Sequence, residues 1–444
     1  MIGVVADDIT GAGDIGIMFA KADWETHVYP LRDAAEASGR AGARPDVLII
    51  DTNSRLDRPE EAYAKAYEAT KRLVEAGCGT FYNKTCSVFR GNVGAEFDAM
   101  LDALGASFAL VVLGFPKTGR TTLGGIHYVR GARLEESEFR HDPVHPMNRS
   151  DLVGILQAQT ARKVDRIDIG VVEEGSEALR RAIAERKAAC GYLIVDVRDQ
   201  ASLRIIAEAA KDEPVLCGSS ALAEELAALN RADAPALGTF PLAADAGTPR
   251  PPDPARAGRG SVLCAAGSLM PQTAAQTRYL REKGVPAIEL DSLLLLDPKR
   301  SAEHLREVAD EAARRLEAGE DVLVFASNRQ EKIAETKRLA LLQGMDNTEV
   351  SRVVSEALSE TVRAVCGRTG QRHLVVAGGE TSAAVCGKLG ISAFRIRKEI
   401  EPGLPSCESL EPGRRLFVLK SGSFGGEDFL WKAMEHLKKE GGRT

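Results

Sequence analysis

Two adjacent carboxylates, Asp7 and Asp8, stand at the end of a short apolar run, residues 2–6, and just before Thr10-Gly11-Ala12-Gly13. A carboxylate can take the proton of an attacking hydroxyl while its neighbour orients the substrate or a water. The plainer account has one Asp capping a helix and the other facing solvent; their adjacency on a glycine turn favours chemistry. A second group lies in Asn83-Lys-Thr-Cys-Ser-Val-Phe-Arg-Gly-Asn92. Its cations, Lys84 and Arg90, suit a carboxylate or a transferring phosphoryl group, and its hydroxyls, Thr85 and Ser87, suit sugar hydroxyls. Arg55, in Asp51-Thr-Asn-Ser-Arg55, and the stretch Phe115-Pro-Lys-Thr-Gly-Arg120 offer more cations. Together these side chains describe a pocket for a small polyhydroxylated acid.

The carboxyl-terminal half carries three glycine-bearing stretches: Ala266-Gly-Ser-Leu-Met270, Ala377-Gly-Gly-Glu-Thr-Ser382 and Lys420-Ser-Gly-Ser-Phe-Gly-Gly426. Glycine lets backbone amides approach an anion, and a helix amino terminus after such a loop favours phosphate. Any one of them could be a structural turn, but three in one domain point to a nucleotide phosphate site. None has the spacing G-x-x-x-x-G-K-[ST], which disfavours a Walker-type ATPase. No G-x-G-x-x-G with a suitably placed acid follows the first strand, which disfavours dinucleotide binding.

These groups need a scaffold that brings loop ends together. In an open α/β sheet, ligands sit beyond the carboxyl ends of the strands. Apolar runs at 46–50, 108–113, 192–197 and 214–217 read as buried strands, and 58–76 and 176–189 as amphipathic helices. After 260 the alternation resumes, with strands expected at 261–265, 321–326 and 373–377 and helices at 272–283, 303–316 and 349–366. Residues 125–134 read as a hairpin turning at Arg130-Gly131, a surface insertion. Six prolines between 235 and 254 break the pattern. The expected fold class is therefore α/β with two domains, each a mostly parallel sheet flanked by helices, and the active site in the cleft between them. The division is 1–232 for the sugar-acid domain, 233–259 for a Pro-rich linker and 260–444 for the nucleotide domain, with a hinge expected in the linker.

With 444 residues the chain is longer than a single core usually grows. A net charge of -6 gives no electrostatic case for nucleic acid or an anionic membrane surface. Eight cysteines and seven histidines are scattered, with no C-x-x-C and no H-E-x-x-H, so neither a disulfide framework nor a zinc site is expected. No run reaches the ~20 apolar residues of a membrane helix and the start lacks a leader pattern, so the expected place of work is the cytoplasm.

Taken together, Ala-Asp-Asp-x-Thr-Gly-Ala at 6–12, Lys-Thr-x-Ser at 84–87, Arg-Gly-Asn at 90–92, Gly-Gly-Glu-Thr at 378–381 and Lys-Ser-Gly-x-Phe-Gly at 420–425 resemble the four-carbon acid sugar kinase family over nearly the whole chain. The resemblance implies phosphorylation of the terminal hydroxyl of a tetronate, such as threonate or erythronate, or of a 3-oxo relative. It implies ATP and Mg2+ as cofactors and a small acid as partner; the sequence does not fix an oligomeric state, and a homodimer would be unsurprising. By the same resemblance Asp7 and Asp8 are catalytic, and the substrate is held by Asp8, Arg55, Lys84, Thr85, Cys86, Ser87 and Arg90; the mechanism expected here puts Arg55 and Lys84 on its carboxylate. The nucleotide falls to Ser268, Gly378, Gly379, Glu380, Thr381, Gly422 and Gly425; the sequence names no metal ligands beyond Glu380 as a contributor. Two positions depart from the family pattern. Cys86 stands where many members have Asp, and Met270 where a second Ser is common. Two other classes fit the architecture: an NAD(P)-dependent sugar-acid oxidoreductase, which lacks its fingerprint here, and a non-catalytic sugar-acid sensor, which would not need three phosphate-type loops.

Overall fold

The apolar run at the amino terminus forms strand β1 (Ile2–Ala6). Val4, Val5 and Ala6 carry nothing to solvate and are buried, as in the centre of a parallel sheet. The computed structural model describes residues 1–38, 44–142, 144–233 and 260–441. The further strands of the amino-terminal half are β2 (Thr26–Pro30), β3 (Val47–Asp51), β4 (Thr80–Lys84), β5 (Ala109–Val112), β6 (Arg120–Leu123), β7 (Ile126–Val129), β8 (Ala132–Arg133), β9 (Val164–Ile167), β10 (Tyr192–Val195) and β11 (Val215–Gly218). The carboxyl-terminal half adds β12 (Leu263–Ala266), β13 (Ala287–Leu290), β14 (Val322–Ala326), β15 (His373–Ala377), β16 (Phe394–Glu401), β17 (Leu404–Ser409) and β18 (Leu416–Lys420).

Among the described residues, fifteen strands form one sheet in the order β13-β14-β12-β15-β18-β17-β16-β2-β3-β1-β4-β11-β5-β10-β9. Everything from β2 to β9 in that order is parallel, as is the block from β13 to β18. Between the blocks, β17 pairs antiparallel with both β18 and β16, and β16 pairs antiparallel with β2 through Phe394↔Val28 and Arg395↔His27. The mostly parallel sheets expected for the two halves are thus continuous, with strand direction reversing at the β16–β2 junction. The expected linker lies outside the described residues apart from Asp233, which closes the helix Ala221–Asp233.

Helix α1 (Ile9–Ala20) follows β1 and is buried almost all round, because it packs on β16, β17 and the helices Ala221–Asp233 and Gly379–Lys388 as well as on its own sheet. Helix α2 (Pro59–Glu75) buries one stripe, Ala62, Ala66, Ala69 and Leu73, at the spacing the sequence displays. Leu73 alone contributes roughly 2 kcal/mol by its burial. Helix α3 (Val93–Leu104) begins one residue beyond Asn92 and ends at Gly105, whose φ of 63° supplies the left-handed cap.

The expected hairpin is present. Arg130 and Gly131 both take positive φ, 51° and 84°, as the two-residue turn between β7 and β8 requires. It is more than a surface insertion, however. β6 pairs on the other side of β7, and bridges from Thr122 to Val197 and from Ile126 to Asp151 bind the small sheet to the body. That anchoring turns its first residue, Arg120, inward.

Candidate active site

Because β1 lies between β3 and β4, the loops that follow these three strands emerge side by side. Asp7 N–H donates to the Lys84 carbonyl at 3.3 Å, and Ser54 N–H to the Asp7 carbonyl at 3.0 Å. Asp8 caps α1: its Oδ1 accepts from Gly11 N–H at 2.5 Å and from the Thr10 hydroxyl at 3.1 Å. The capping account is therefore correct for Asp8, yet it engages only one of its two oxygens. The other, Oδ2, accepts from Arg55 Nη1. Arg55 also grips Asp7 in a fork, Nε to Oδ2 at 2.8 Å and Nη2 to Oδ1 at 2.7 Å. One guanidinium thus serves two buried carboxylates. Burial raises the Asp8 carboxyl, but Arg55, Lys84, Gly11 N–H and the Thr10 hydroxyl together outweigh it and hold Asp8 below its ordinary value.

The Arg90-Gly91-Asn92 stretch places that arginine. Gly91 has φ 99°, and a Cβ there would stand 2.9 Å from Arg55 Cγ, so glycine leaves room for the Arg55 stem. Asn92 Nδ2 donates to the carbonyls of Ser54 at 3.1 Å and Asp57 at 2.9 Å, tying down the loop after β3. Arg90 pairs with Asp142 at 2.5 Å and donates from Nε to Cys86 Sγ at 3.4 Å. Burial pushes the Cys86 thiol up, and the cations of Arg90 and Arg55 more than offset this and bring it below its usual range.

These elements surround a cavity. Of the substrate residues expected from sequence, Asp8, Arg55, Lys84, Cys86, Ser87 and Arg90 line it. Asp7 and Thr85 do not; Asp7 lies behind Asp8 under Arg55, and Thr85 is fully buried with its hydroxyl unpartnered. Lys117, one of the cations beyond β5, points away and pairs with Glu224 at 2.7 Å. Several lining residues escaped the sequence reading. Asp14, in the second turn of α1, is buried, pairs with Lys84 at 3.4 Å and accepts from the Ser220 hydroxyl at 2.7 Å. Its signal was a lone acid inside an apolar helix. Arg120 was visible as a cation past a strand end, whereas Phe139 and Phe424, whose rings lie beside it, gave no signal.

The three glycine loops of the other half pack against one another. A Cβ at Gly422 would stand 2.1 Å from Ser268 Oγ, one at Gly378 3.3 Å from Ser268 N, and one at Gly267 2.2 Å from Thr381 Oγ1. Lys420 locks the third loop from beneath, donating to the Thr273 hydroxyl at 2.8 Å and to the Ser421 and Gly422 carbonyls at 2.8 and 3.0 Å. Burial drags this ammonium down to about 7. Gly425 has a structural cause of its own, since its φ is 84° and a Cβ would press on Phe429. Gly379 opens the helix Gly379–Lys388, and a Cβ on it would lie 3.1 Å from Asp8 Oδ2. Glu380, next to it, is raised by burial, which Arg352 counters and the charges of Asp57 and Asp8 reinforce.

A cation-rich cavity beyond one parallel block and a glycine cradle beyond the other therefore meet at Asp8. Residues 2–226 match the model of a sugar-binding N-terminal domain and residues 263–430 that of a nucleotide-binding C-terminal domain. The chain belongs to the four-carbon acid sugar kinase family. It is a phosphotransferase with a hydroxyl as acceptor. Proteins named 3-oxo-tetronate kinase from Pseudomonas savastanoi pv. phaseolicola and Cupriavidus necator are each 33% identical to it, over 98% of this chain and 97% of theirs. A crystal structure from Salmonella typhimurium LT2 superposes with a TM-score of 0.76 at 26% identity, covering 98% of this chain and 99% of that one. A Haemophilus influenzae protein of the family DUF1537 follows at 0.68 and 27%, covering 98% and 100%. Among the described residues no helix is long and apolar enough to cross a membrane, and no three His, Cys, Asp or Glu side chains converge to hold a metal.

Proposed function

We propose that the chain transfers the γ-phosphoryl group of ATP to the terminal hydroxyl of a four-carbon sugar acid, the 3-oxo-tetronates named for its relatives being the leading candidates. The observation that carries this reading is the contact between Asp8 and Gly379. It joins a carboxylate on the polar cavity to the amino terminus of a helix in the half that matches a nucleotide-binding model. Phosphoryl transfer needs positioning and charge neutralisation more than covalent chemistry by the protein.

Asp8 is the base in this reading and Asp7 the residue that holds Arg55. Asp8 lines the cavity, is held ionised, and has its carboxylate fixed by Gly11 N–H, Thr10 and Arg55. The hydroxyl oxygen attacks the γ-phosphorus, the bond to the bridging β,γ-oxygen breaks, and the hydroxyl proton passes to Asp8. The glycine loops at 267–270, 378–381 and 421–425 would cradle the phosphates through backbone N–H groups, and side chains at Gly267, Gly378 and Gly422 would push these loops apart. The donor set suits Mg2+ carried in on ATP, because two carboxylates, Asp8 and Glu380, adjoin the cradle and no all-protein cage exists among the described residues. When bound, the ion neutralises phosphate charge.

The test is ADP release by the purified protein with Mg-ATP against a panel of four-carbon sugar acids, with NAD(P) reduction followed in parallel. Acid-dependent ADP release supports the reading. ATP binding without turnover on any acid, or reduction of a nicotinamide, would defeat it.

A further inference from the structure

The cations around the cavity are not equivalent. Arg55 faces two carboxylates at once, Lys84 is matched by Asp14, and Arg90 is matched by Asp142. Arg120 has none: among the described residues no carboxylate oxygen lies within 4.0 Å of its guanidinium. Its one polar contact is from Nη1 to the Thr118 hydroxyl at 3.4 Å, and its Nε is buried without a partner. Only 4% of the residue is exposed. The rings of Phe424 and Phe139 lie 4.7 and 5.7 Å from its guanidinium carbon, shielding the charge from water with faces that cations tolerate. A buried guanidinium left with empty donors is costly unless something fills them. Burial lowers even this strong base to about 10.

We propose that Arg120 is the carboxylate anchor of the sugar acid. The inference rests on the sugar-acid kinase reading and gives the substrate a direction. Around Asp8 three carboxylates, Asp7, Asp8 and Asp14, face two cations, Arg55 and Lys84, and this excess of negative charge repels an anionic head. Arg120 carries a cation that no carboxylate contacts among the described residues, Asp14 and Cys86 acting on it only through space, and attracts that head. The acid therefore enters head toward Arg120, and its far hydroxyl faces Asp8. Asp14, whose buried Oδ1 also lacks a partner, sits on the same cavity to accept a hydroxyl from the chain of the sugar. This moves the carboxylate away from Arg55 and Lys84, where the reading of the sequence puts it. It also makes Phe424, on the glycine loop of the nucleotide half, part of the wall around the acid.

The experiment is calorimetric binding of D-threonate and D-erythronate, and of their uncharged primary amides, to the full-length wild type and to Arg120→Gln and Arg120→Lys in the presence of a non-hydrolysable ATP analogue. Losing a desolvated, charge-assisted fork should weaken acid binding about 100-fold in Arg120→Gln while amide binding changes less than about threefold. Arg120→Lys, which keeps the charge without the fork, should recover part of the loss and serves alone if the Gln variant does not fold. Acid binding within threefold of wild type in either variant, or equal losses for acid and amide, overturns the anchor. Wild type that binds acid through Arg120 but releases no ADP sinks the kinase reading and leaves the anchor standing. Wild type that binds neither acid overturns the anchor for these tetronates, while the kinase reading is decided separately by ADP release on the wider panel of acids.

Discussion

Gly379 sits so close to Asp8 that a methyl group on it would stand 3.1 Å from the Asp8 Oδ2 oxygen. The gap can be opened only if the carboxylate or the helix amino terminus shifts by a few tenths of an ångström. Gly379→Ala should therefore lower kcat by about tenfold or more, since misplacement of reacting groups by as little as ~1 Å is worth ~100-fold. The position is helical, so Ala costs nothing in backbone conformation and the melting temperature should hold. A variant with unchanged kcat would show that the contact does not set the reacting geometry.

Arg55 pairs with two buried carboxylates, and Lys84 acts on Asp8 beside it. Arg55→Ala strips Asp7 of its ion pair and leaves Asp8 with Lys84 alone, and the expected loss is about 3 to 5 kcal/mol in denaturant unfolding. Adding Asp7→Asn should return part of it, because one of the stranded charges disappears. Additive losses in the double variant would mean that Arg55 stabilises the fold by packing its stem on Gly91 and not through charge.

The two aspartates should separate in kinetics. Asp8→Asn is expected to reduce kcat 100-fold or more with ATP affinity within threefold of wild type, the usual range for loss of a general base. Asp7→Asn should fall chiefly in stability, because its carboxylate holds Arg55 and does not line the cavity. The reverse order would exchange their roles.

Asp51, at the end of β3, is pushed up to about 7 by burial, with the charges of Asp8 and Asp7 adding to it and the Asn53 N–H opposing it. The folded protein thus keeps a proton that the unfolded chain releases near pH 4, so this group's contribution is fully present below pH 4 and is lost as pH rises through about 7. Asp51→Asn removes that dependence. Urea unfolding between pH 5 and 6.5 should show the variant gaining on wild type by about 1.4 kcal/mol per pH unit. Parallel pH profiles would place the Asp51 titration elsewhere.

All eight cysteines are buried, and burial raises the thiols of Cys78, Cys190, Cys217, Cys264, Cys366, Cys386 and Cys407. Cys86 alone is lowered, and it lines the cavity. A small thiol reagent at pH 7 should modify Cys86 first, and a bound sugar acid should slow it, as read by peptide mass spectrometry. First modification at any other cysteine contradicts the lowering of Cys86 by Arg90 and Arg55.

The scaffold was legible because its strands are buried on both faces. Runs such as 46–50, observed as Val47–Asp51, and 192–197, observed as Tyr192–Val195, have no polar side to blur them. The β16–β2 junction was not legible. It is held by two registered pairs between strands from opposite ends of the chain, and such pairing leaves no local trace. The site divides in the same way. Residue types at strand ends revealed Asp8, Arg55, Lys84 and Arg90, whereas which cation lacks a counter-ion depends on Asp14 and Asp142, whose positions only folding fixes. Lys420 shows the converse: a conspicuous cation on a glycine loop, spent on holding carbonyl groups of its own loop.

The shared sheet bears on how far either half is a module. Cut between the halves, β2 loses β16 and presents Thr26–Pro30 as a bare edge, and β16 does the same from the other fragment. Unpaired edges recruit strands from neighbouring chains. A truncated amino-terminal half would carry its acid cavity without the Phe424 wall and with an edge ready to polymerise. For engineering, the two halves are transferable between proteins as one graft, cut outside both, and not as separate parts.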